Sequence, residues 1–509
     1  MHDTGSRRLQ WGLVLVCLAF LLFPLLRMVS VGLVALFREE DRLSSAFWQI
    51  LARSIALNGL QAFLSATISV ASGLALGSLI GMSNGRFLSR GLRFIGMFSF
   101  ALPGMTVALL VLDWHRAWAG VPSDGLGALV LAHLVLNGAF VAAALDARVR
   151  SWRSGGGNEI WESAALLGAR RFAWLSVALG PLWREIIRSF FPLIFFYSFS
   201  AFATVLILGG LQGYASPEVL LFSSLQNDFR YSAIFVYSLV QFGVAVLAYR
   251  LVVTNARALD LGTGRGRPLP TLRAPFPGVV AVLLAAFAFP VAWLFIAPLR
   301  LLFSSKFEVP EDLIAALTNS AMLAGFACLS MAVLFLAMVF ARSPARRLWR
   351  GLLGVSATLF LSGWLFCGWD RWLDAHPVGQ LAAAGFLLAL LQLPLAALWA
   401  EERWRGLPRA ELEAAWLMGA SSWGTARFVV LPHFSDVFER MLLLTGLYAV
   451  GDIAISSLFI HDQELLSTFL RRTAARYDFS STQWLLLVLA GFTLIFFALA
   501  GARRKIWSN

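Results

Sequence analysis

The chain has 509 residues, 59% of them hydrophobic and 14% charged, with a formal net charge of +13. That balance is too apolar for a water-soluble globule and fits a membrane-embedded chain of two or more units. The three cysteines, Cys17, Cys328 and Cys367, sit in apolar segments without metal-ligand spacing, which argues against a disulfide framework or a zinc site.

Arg7 and Arg8 precede an apolar run that continues to about Phe37 without a small-residue cleavage site, so it reads as a retained span. Twelve spans are expected in all, at roughly 11–37, 54–80, 91–113, 125–145, 189–211, 232–253, 277–303, 315–341, 348–369, 378–400, 440–460 and 481–502. Each is long enough to cross about 30 Å of hydrocarbon as a helix. Helices are the only sensible reading, because lipid satisfies no backbone group and no alternating strand pattern appears. Gly73, Gly77 and Gly81 in the second span predict close approach of a neighbouring helix, and Pro103-Gly104 predicts a kink in the third. The Gly/Pro/Arg-rich residues 254–276 read as a hinge between a first six-helix unit, 1–253, and a second, 277–509. The expected fold is an all-α polytopic membrane protein of two parallel six-helix repeats, since six spans return the chain to its starting side.

Charge sets the expected orientation. With the N-terminus inside, most of the 41 Lys and Arg fall on the inner side: Arg86, Arg90 and Arg93; Arg148, Arg150 and Arg153; Arg342, Arg346, Arg347 and Arg350; and the tail from Arg503 to Lys505. Outer loops are mixed or acidic, as at Arg38 to Arg42 and Glu308 to Asp312. The positive-inside rule then puts both termini in the cytoplasm, and the basic balance reports topology rather than nucleic-acid binding.

One charged stretch occurs twice. ESAALLGARRFAWLSVALGP runs from Glu162 to Pro181, and EAAWLMGASSWGTARFVVLP from Glu413 to Pro432. Glu162, Gly168 and Pro181 each have a counterpart 251 residues on, in Glu413, Gly419 and Pro432. Ala164 in the first copy, and Ala414 and Ala415 in the second, begin a short helix with acids near its N-terminus, where the dipole favours them. The glycine permits a sharp break, and a second short helix runs on to the proline. A single such stretch could be an amphipathic connector at the membrane surface; two with one spacing, at equivalent places, point to a shared task.

At these residues the chain resembles the ATP-binding-cassette (ABC) importer permeases of type I, whose EAA signature reads acid-Ala-Ala, three residues, Gly, then Leu-Pro. Glu413-Ala414-Ala415, Gly419 and Leu431-Pro432 follow it throughout, while the first copy has Ser163 and Gly180 at two of its places. The resemblance covers both halves. It implies that Glu162, Ala164, Gly168, Pro181, Glu413, Ala414, Ala415, Gly419 and Pro432 form two coupling loops on a cytoplasmic ATPase dimer. It also implies an outer-side substrate-binding protein and a place in the bacterial inner membrane. The chain itself binds no cofactor on this reading; ATP and Mg belong to the partner. Independently, the only lysines are Lys306, after Ser305, and Lys505, after Arg504, so no GxxxxGK[ST] phosphate loop exists here and the chain is not read as an enzyme.

Fused two-repeat permeases resemble the importers of thiamine and of ferric iron. Phe202 to Gly210, Pro217-Glu218-Val219, Asp228-Phe229, Gly451 to Ala454 and Ser457-Leu458-Phe459 are similar to thiamine permeases, so thiamine or its phosphates is the favoured cargo and ferric iron the next. Asp452 falls mid-span, where an acid is costly and faces either a wet path or a hydrogen-bonding neighbour such as Ser456. Tyr197, Phe199 and Thr204 complete the candidate translocation path, though an aromatic run more often packs against helices or lipid. The histidines, including His115 and His433, show no metal-ligand pairing. The alternative is an ion-coupled secondary transporter with two parallel repeats, which needs intramembrane ionisable residues; Asp452 is the one clear example in sequence.

Overall fold

The computed structural model describes residues 23–38, 43–83, 86–119, 125–153, 171–209, 214–228, 230–253, 277–302, 312–340, 376–407, 409–460, 463–475 and 479–506, with Glu159, Ser163, Leu166, Gly363, Trp364 and Cys367 singly. The expected hinge 254–276, most of the expected span 348–369, and Glu162, Ala164 and Gly168 lie outside the described residues.

Among the described residues all regular structure is helical. The helices are α1 (Phe23–Leu36), α2 (Ser45–Met82), α3 (Arg86–Ala101), α4 (Gly104–Ala119), α5 (Leu126–Trp152), α6 (Arg171–Phe199), α7 (Phe202–Leu208), α8 (Pro217–Ser223) and α9 (Tyr231–Val253). They continue with α10 (Pro277–Leu302), α11 (Leu313–Phe340), α12 (Pro377–Gly406), α13 (Arg409–Leu417), α14 (Leu431–Gly451), α15 (Ala454–Phe459), α16 (Leu466–Ala475) and α17 (Phe479–Ile506). Four are long and apolar enough to cross a membrane, or seven if each bent pair is counted as one span. The chain is thus a polytopic helical membrane protein by length and composition.

The tenth expected span, α12, bends by 41° between Leu393 and Leu395, and three others are interrupted by non-helical residues. The third divides into α3 and α4, which bend by 105° at Leu102-Pro103. The fifth divides into α6 and α7, bent by 56° at Ser200-Ala201. The eleventh ends at Gly451 and restarts at Ala454. The first break falls at Pro103-Gly104, where the sequence predicts a kink; apolarity alone does not register where a helix is interrupted, so the unbroken runs of the fifth and eleventh spans hide the other two.

The glycine stripe of α2 meets α5. A Cβ on Gly73 would lie 2.6 Å from the Val141 side chain, one on Gly77 2.6 Å from the Ala142 carbonyl, and one on Gly81 2.8 Å from Val149 Cβ. Where lipid is as apolar as the helix faces, such backbone approach gives association through van der Waals contact. The same device recurs on α12, where a Cβ on Gly385 would meet Phe326 and Ala327 of α11 at 2.8 Å.

The C-terminus of α2 is held by arginines from α5. Arg150 donates to the Ile80 carbonyl at 3.1 Å, and the fully buried Arg153 donates to Gly81 and Met82 at 3.0 and 3.1 Å. These are carbonyls the helix cannot satisfy itself, and cations suit that end of its dipole. Buried Asp146 orients Arg150 through a 2.8 Å bond and also accepts from Ser89.

One apolar core, built mainly from α4, α5, α7 to α12 and α14 to α17, joins elements from both ends of the sequence. Separate clusters lie between α2, α5 and α6, and between α11, α12 and α14. Asp113 of α4 ties the shared core together: its carboxylate accepts from Trp293 Nε1 of α10 at 3.0 Å and from Gln483 Nε2 of α17 at 2.8 Å.

Candidate functional site

The three broken helices converge. Pro103, at the α3–α4 bend, packs against Gly451 so closely that no side chain could stand there. Gly104 faces Thr204 of α7, whose methyl would be 3.5 Å from a Cβ on that glycine. The breaks therefore meet inside the bundle, where irregular backbone is tolerated because protein surrounds it. The freed carbonyl of Phe199 is satisfied by Asn58 Nδ2 of α2 at 2.7 Å.

Asp452 stands at the third break. Its backbone is extended, and its carboxylate accepts from the N–H groups of Ile455 and Ser456 at 2.7 and 3.3 Å. Ser456 Oγ donates back to the Asp452 carbonyl at 2.7 Å. This is an N-cap for α15. The acid expected twelve residues into a continuous span instead ends one helix and starts the next, and Ser456 is the neighbour it holds.

Around it stands a group of polar side chains. The Tyr448 hydroxyl is within electrostatic reach of Asp452, Glu218 and Tyr197. Tyr197 and Tyr448 lie deep among protein atoms, yet they expose 44% and 46% of their surfaces. Neither ring is packed into the core. Phe100 meets Tyr197 edge to face, with centroids 6.4 Å apart. On α14, Thr445 and Tyr448 are three residues apart and share one face, and Asp452 follows directly after the helix. The buried hydroxyls of Thr445 and of Thr204 have no hydrogen-bond partner among the described residues. Two aromatic faces, two carboxyl groups and several hydroxyls are the chemistry with which this region could hold a small polar solute, by stacking and hydrogen bonding.

Of the four path residues expected from sequence, Tyr197 and Asp452 come together around Tyr448, and Thr204 lies beneath the α3–α4 bend. Phe199 does not join them: it is buried and stacks on Phe195 at 6.2 Å. Sequence reading passed over Tyr448, although the 251-residue offset maps Tyr197 onto it. It also passed over Glu218 as a site residue, and over the buried Asp113 and His133, whose neighbours lie far away in the chain. His115 bonds the Val111 carbonyl at 3.0 Å through Nδ1, and His433 the Arg403 carbonyl at 3.2 Å through Nε2. Among the described residues no group of three His, Cys, Asp or Glu could hold a metal ion.

No family model, curated protein or solved structure matches the chain. The site is therefore read from its own geometry.

The second charged segment forms a hairpin at the arginine-rich end. Glu411 lies in the first turn of α13, Glu411, Glu413 and Ala414 are exposed, and Ala415 is buried. The helix then stops: the Gly419 N–H bonds the Trp416 carbonyl and the Ala420 N–H bonds the Ala415 carbonyl, both at 3.0 Å, with Gly419 at φ +77°. That paired closure around a left-handed residue is the Schellman turn, and it needs glycine for its conformation, not for space, since nothing lies within 4 Å of a Cβ there. Ser422 to Val430 lead into α14 with Pro432 in its first turn, exposed. Trp416, Leu417, Met418 and Phe428 all face outward. In the first segment Glu159, Ser163 and Leu166 are helical and exposed, and Pro181 lies exposed inside α6. Leu166 and Leu417 are 251 residues apart, and each is 89% exposed.

Proposed function

We propose that the chain is the transmembrane permease subunit of an ATP-binding-cassette importer of type I. It moves a small solute, with thiamine or its phosphates favoured and ferric iron next, across the bacterial inner membrane. On this reading it has twelve spans in two parallel repeats, with both termini cytoplasmic. A separate cytoplasmic ATPase dimer binds ATP and Mg and drives the chain through the two EAA loops, and an outer-side binding protein delivers the cargo. Closing of the ATPase dimer draws the two loops together and tilts the halves, opening the central cleft outward.

The observation that carries this reading is the matched exposure of Leu166 and Leu417 on charged helical segments of one spacing. Large apolar side chains held out from the protein beside acids and arginines suit a protein partner, and a recurrence at 251 residues suits a partner that is itself a dimer. The repeat draws further support from spacing. Helices α5 and α12 begin 251 residues apart, at Leu126 and Pro377, and the breaks at Ala201 and Asp452 are separated by the same number. The meeting of helix breaks from both ends of the chain, at Pro103, Gly451 and Thr204, suits a translocation path built on discontinuous helices.

The buried carboxyl groups of Asp113, Glu218 and Asp452 favour a second reading, an ion-coupled secondary transporter. One experiment separates the two. Affinity purification of the chain in mild detergent is expected to recover an ATPase subunit, and uptake to stop on ATP depletion. Recovery of no ATPase, with uptake that survives ATP depletion and collapses with the proton gradient, would establish the second reading.

A further inference from the structure

Two ion pairs stand at the bases of the paired charged segments. Arg148 of α5 lies 3.6 Å from Glu185 of α6. Arg403 of α12 pairs with Asp436 of α14, and Arg440 lies 3.7 Å from the same carboxylate oxygen. Glu185 and Asp436 are 251 residues apart, each four residues after its landmark proline, Pro181 or Pro432. In both cases the acid belongs to the helix that leaves the segment and the arginine to the helix that enters it. The arginines are not at equivalent positions. Trp399 is the counterpart of Arg148, and Arg403 lies four residues, about one turn, beyond it on the same face. The geometry is thus reproduced by different residues, which a chance surface pair would not require.

The mechanical consequence follows from where the acids sit. From Glu185 to Tyr197, and from Asp436 to Tyr448, is twelve residues of helix, about 18 Å at 1.5 Å per residue. Each helix then reaches its break, at Ala201 or Asp452. Without a tie, a push on the segment is absorbed by bending where the two helices part. With the tie, both helices move as one, and the displacement arrives at the cleft. All four partners are partly buried, so solvent screens the attraction less than on an open surface.

We infer that Arg148–Glu185 and Arg403–Asp436 are struts that pass displacement of the charged segments to the breaks flanked by Tyr197 and Tyr448. They are positioning residues, distant from nucleotide and cargo. This rests on the reading that an ATPase drives the chain.

The test uses the permease with its copurified ATPase in lipid vesicles. Cys17, Cys328 and Cys367 are replaced by Ala, and spin labels are attached at Tyr197→Cys and Tyr448→Cys. The readout is the change in label-to-label distance between the nucleotide-free state and ATP with vanadate. The unmodified ion pairs are expected to give a clear shift. Arg148→Glu is expected to lose at least half of it while ATP hydrolysis stays within about twofold, and the swap Arg148→Glu/Glu185→Arg to restore it, as a direct pairwise coupling requires. A full shift in Arg148→Glu overturns the inference. So does a lost shift that the swap fails to restore and that tracks a lower melting temperature, the behaviour of a merely structural clasp. If the native chain recovers no ATPase, the reading beneath fails first and the struts fall with it; that outcome is distinct from recovered, active ATPase with an unaltered shift.

Discussion

The carboxylate of Asp452 accepts a hydrogen bond from the backbone N–H of Ile455 at 2.7 Å, so a buried acid between two helices caps the second of them. The capping role and the proposed role in transport can be divided experimentally, because the two tasks need different properties. Asparagine keeps the acceptor oxygen and loses the charge; alanine loses both.

Asp452→Asn is therefore expected to retain a melting temperature close to that of the native protein, since Asn and Asp cap helices about equally well. Asp452→Ala is expected to lose on the order of 1 kcal/mol of stability, the usual cost of removing a cap. Uptake in whole cells is expected to fall in both variants, with the recovered ATPase unchanged in Asp452→Asn. Native uptake kinetics in Asp452→Asn would show that the residue is a cap alone.

Gly419 adopts a left-handed backbone with open space around its Cα. Gly419→Val is expected to cost roughly 1–3 kcal/mol locally through backbone strain. Gly419→Asn is expected to be tolerated, since Asn visits that conformation more readily. Replacement of both Gly168 and Gly419 by bulky residues is expected to uncouple ATP hydrolysis from transport while the spans still fold. Pull-down yield, ATPase rate and uptake measured on the same preparations check all three.

Leu417 is exposed, so Leu417→Asp is expected to leave the fold intact, as read by melting temperature and gel filtration. If Leu417 is buried on a partner, the loss is about 1.5–3 kcal/mol, roughly 10- to 100-fold in affinity. Leu166→Asp is expected to act alike, and a titration of the detergent-solubilised protein with the ATPase proposed as its partner measures both.

Gly77 of α2 has no room for a side chain against the Ala142 carbonyl of α5. Gly77→Val is expected to force the helices apart at a cost of about 1–3 kcal/mol. Gly59 of the same helix has nothing within 4 Å of a Cβ, and Gly59→Ala is expected to be neutral or slightly stabilising. Thermal denaturation of the two variants side by side gives the contrast.

Much of the local organisation is legible in the linear chain. Apolar runs and the lack of strand alternation call for membrane helices, the Gly73, Gly77, Gly81 stripe announces a close neighbour, and the 251-residue period links Leu166 to Leu417 and Gly168 to Gly419. Each of these depends on spacing within one helix or on comparison of the chain with itself. Gly419 is readable for the same reason, since a turn closed by hydrogen bonds to Ala415 and Trp416 is a local event.

The tertiary structure alone decides the site. That the α3–α4 bend at Pro103 packs on Gly451, and that Tyr448 comes within electrostatic reach of Glu218 and Tyr197, are relations between residues hundreds of positions apart. Tyr197 and Phe199 fall in one aromatic run of the sequence, yet packing leaves the first exposed and buries the second. Asp113 is likewise an unexplained acid in an apolar stretch until Trp293 and Gln483 arrive from α10 and α17 to satisfy it. The physical reason is common to all three. A buried polar group needs a partner, and in a bundle of long helices that partner is supplied by whichever helix packs alongside, not by the sequence around the group.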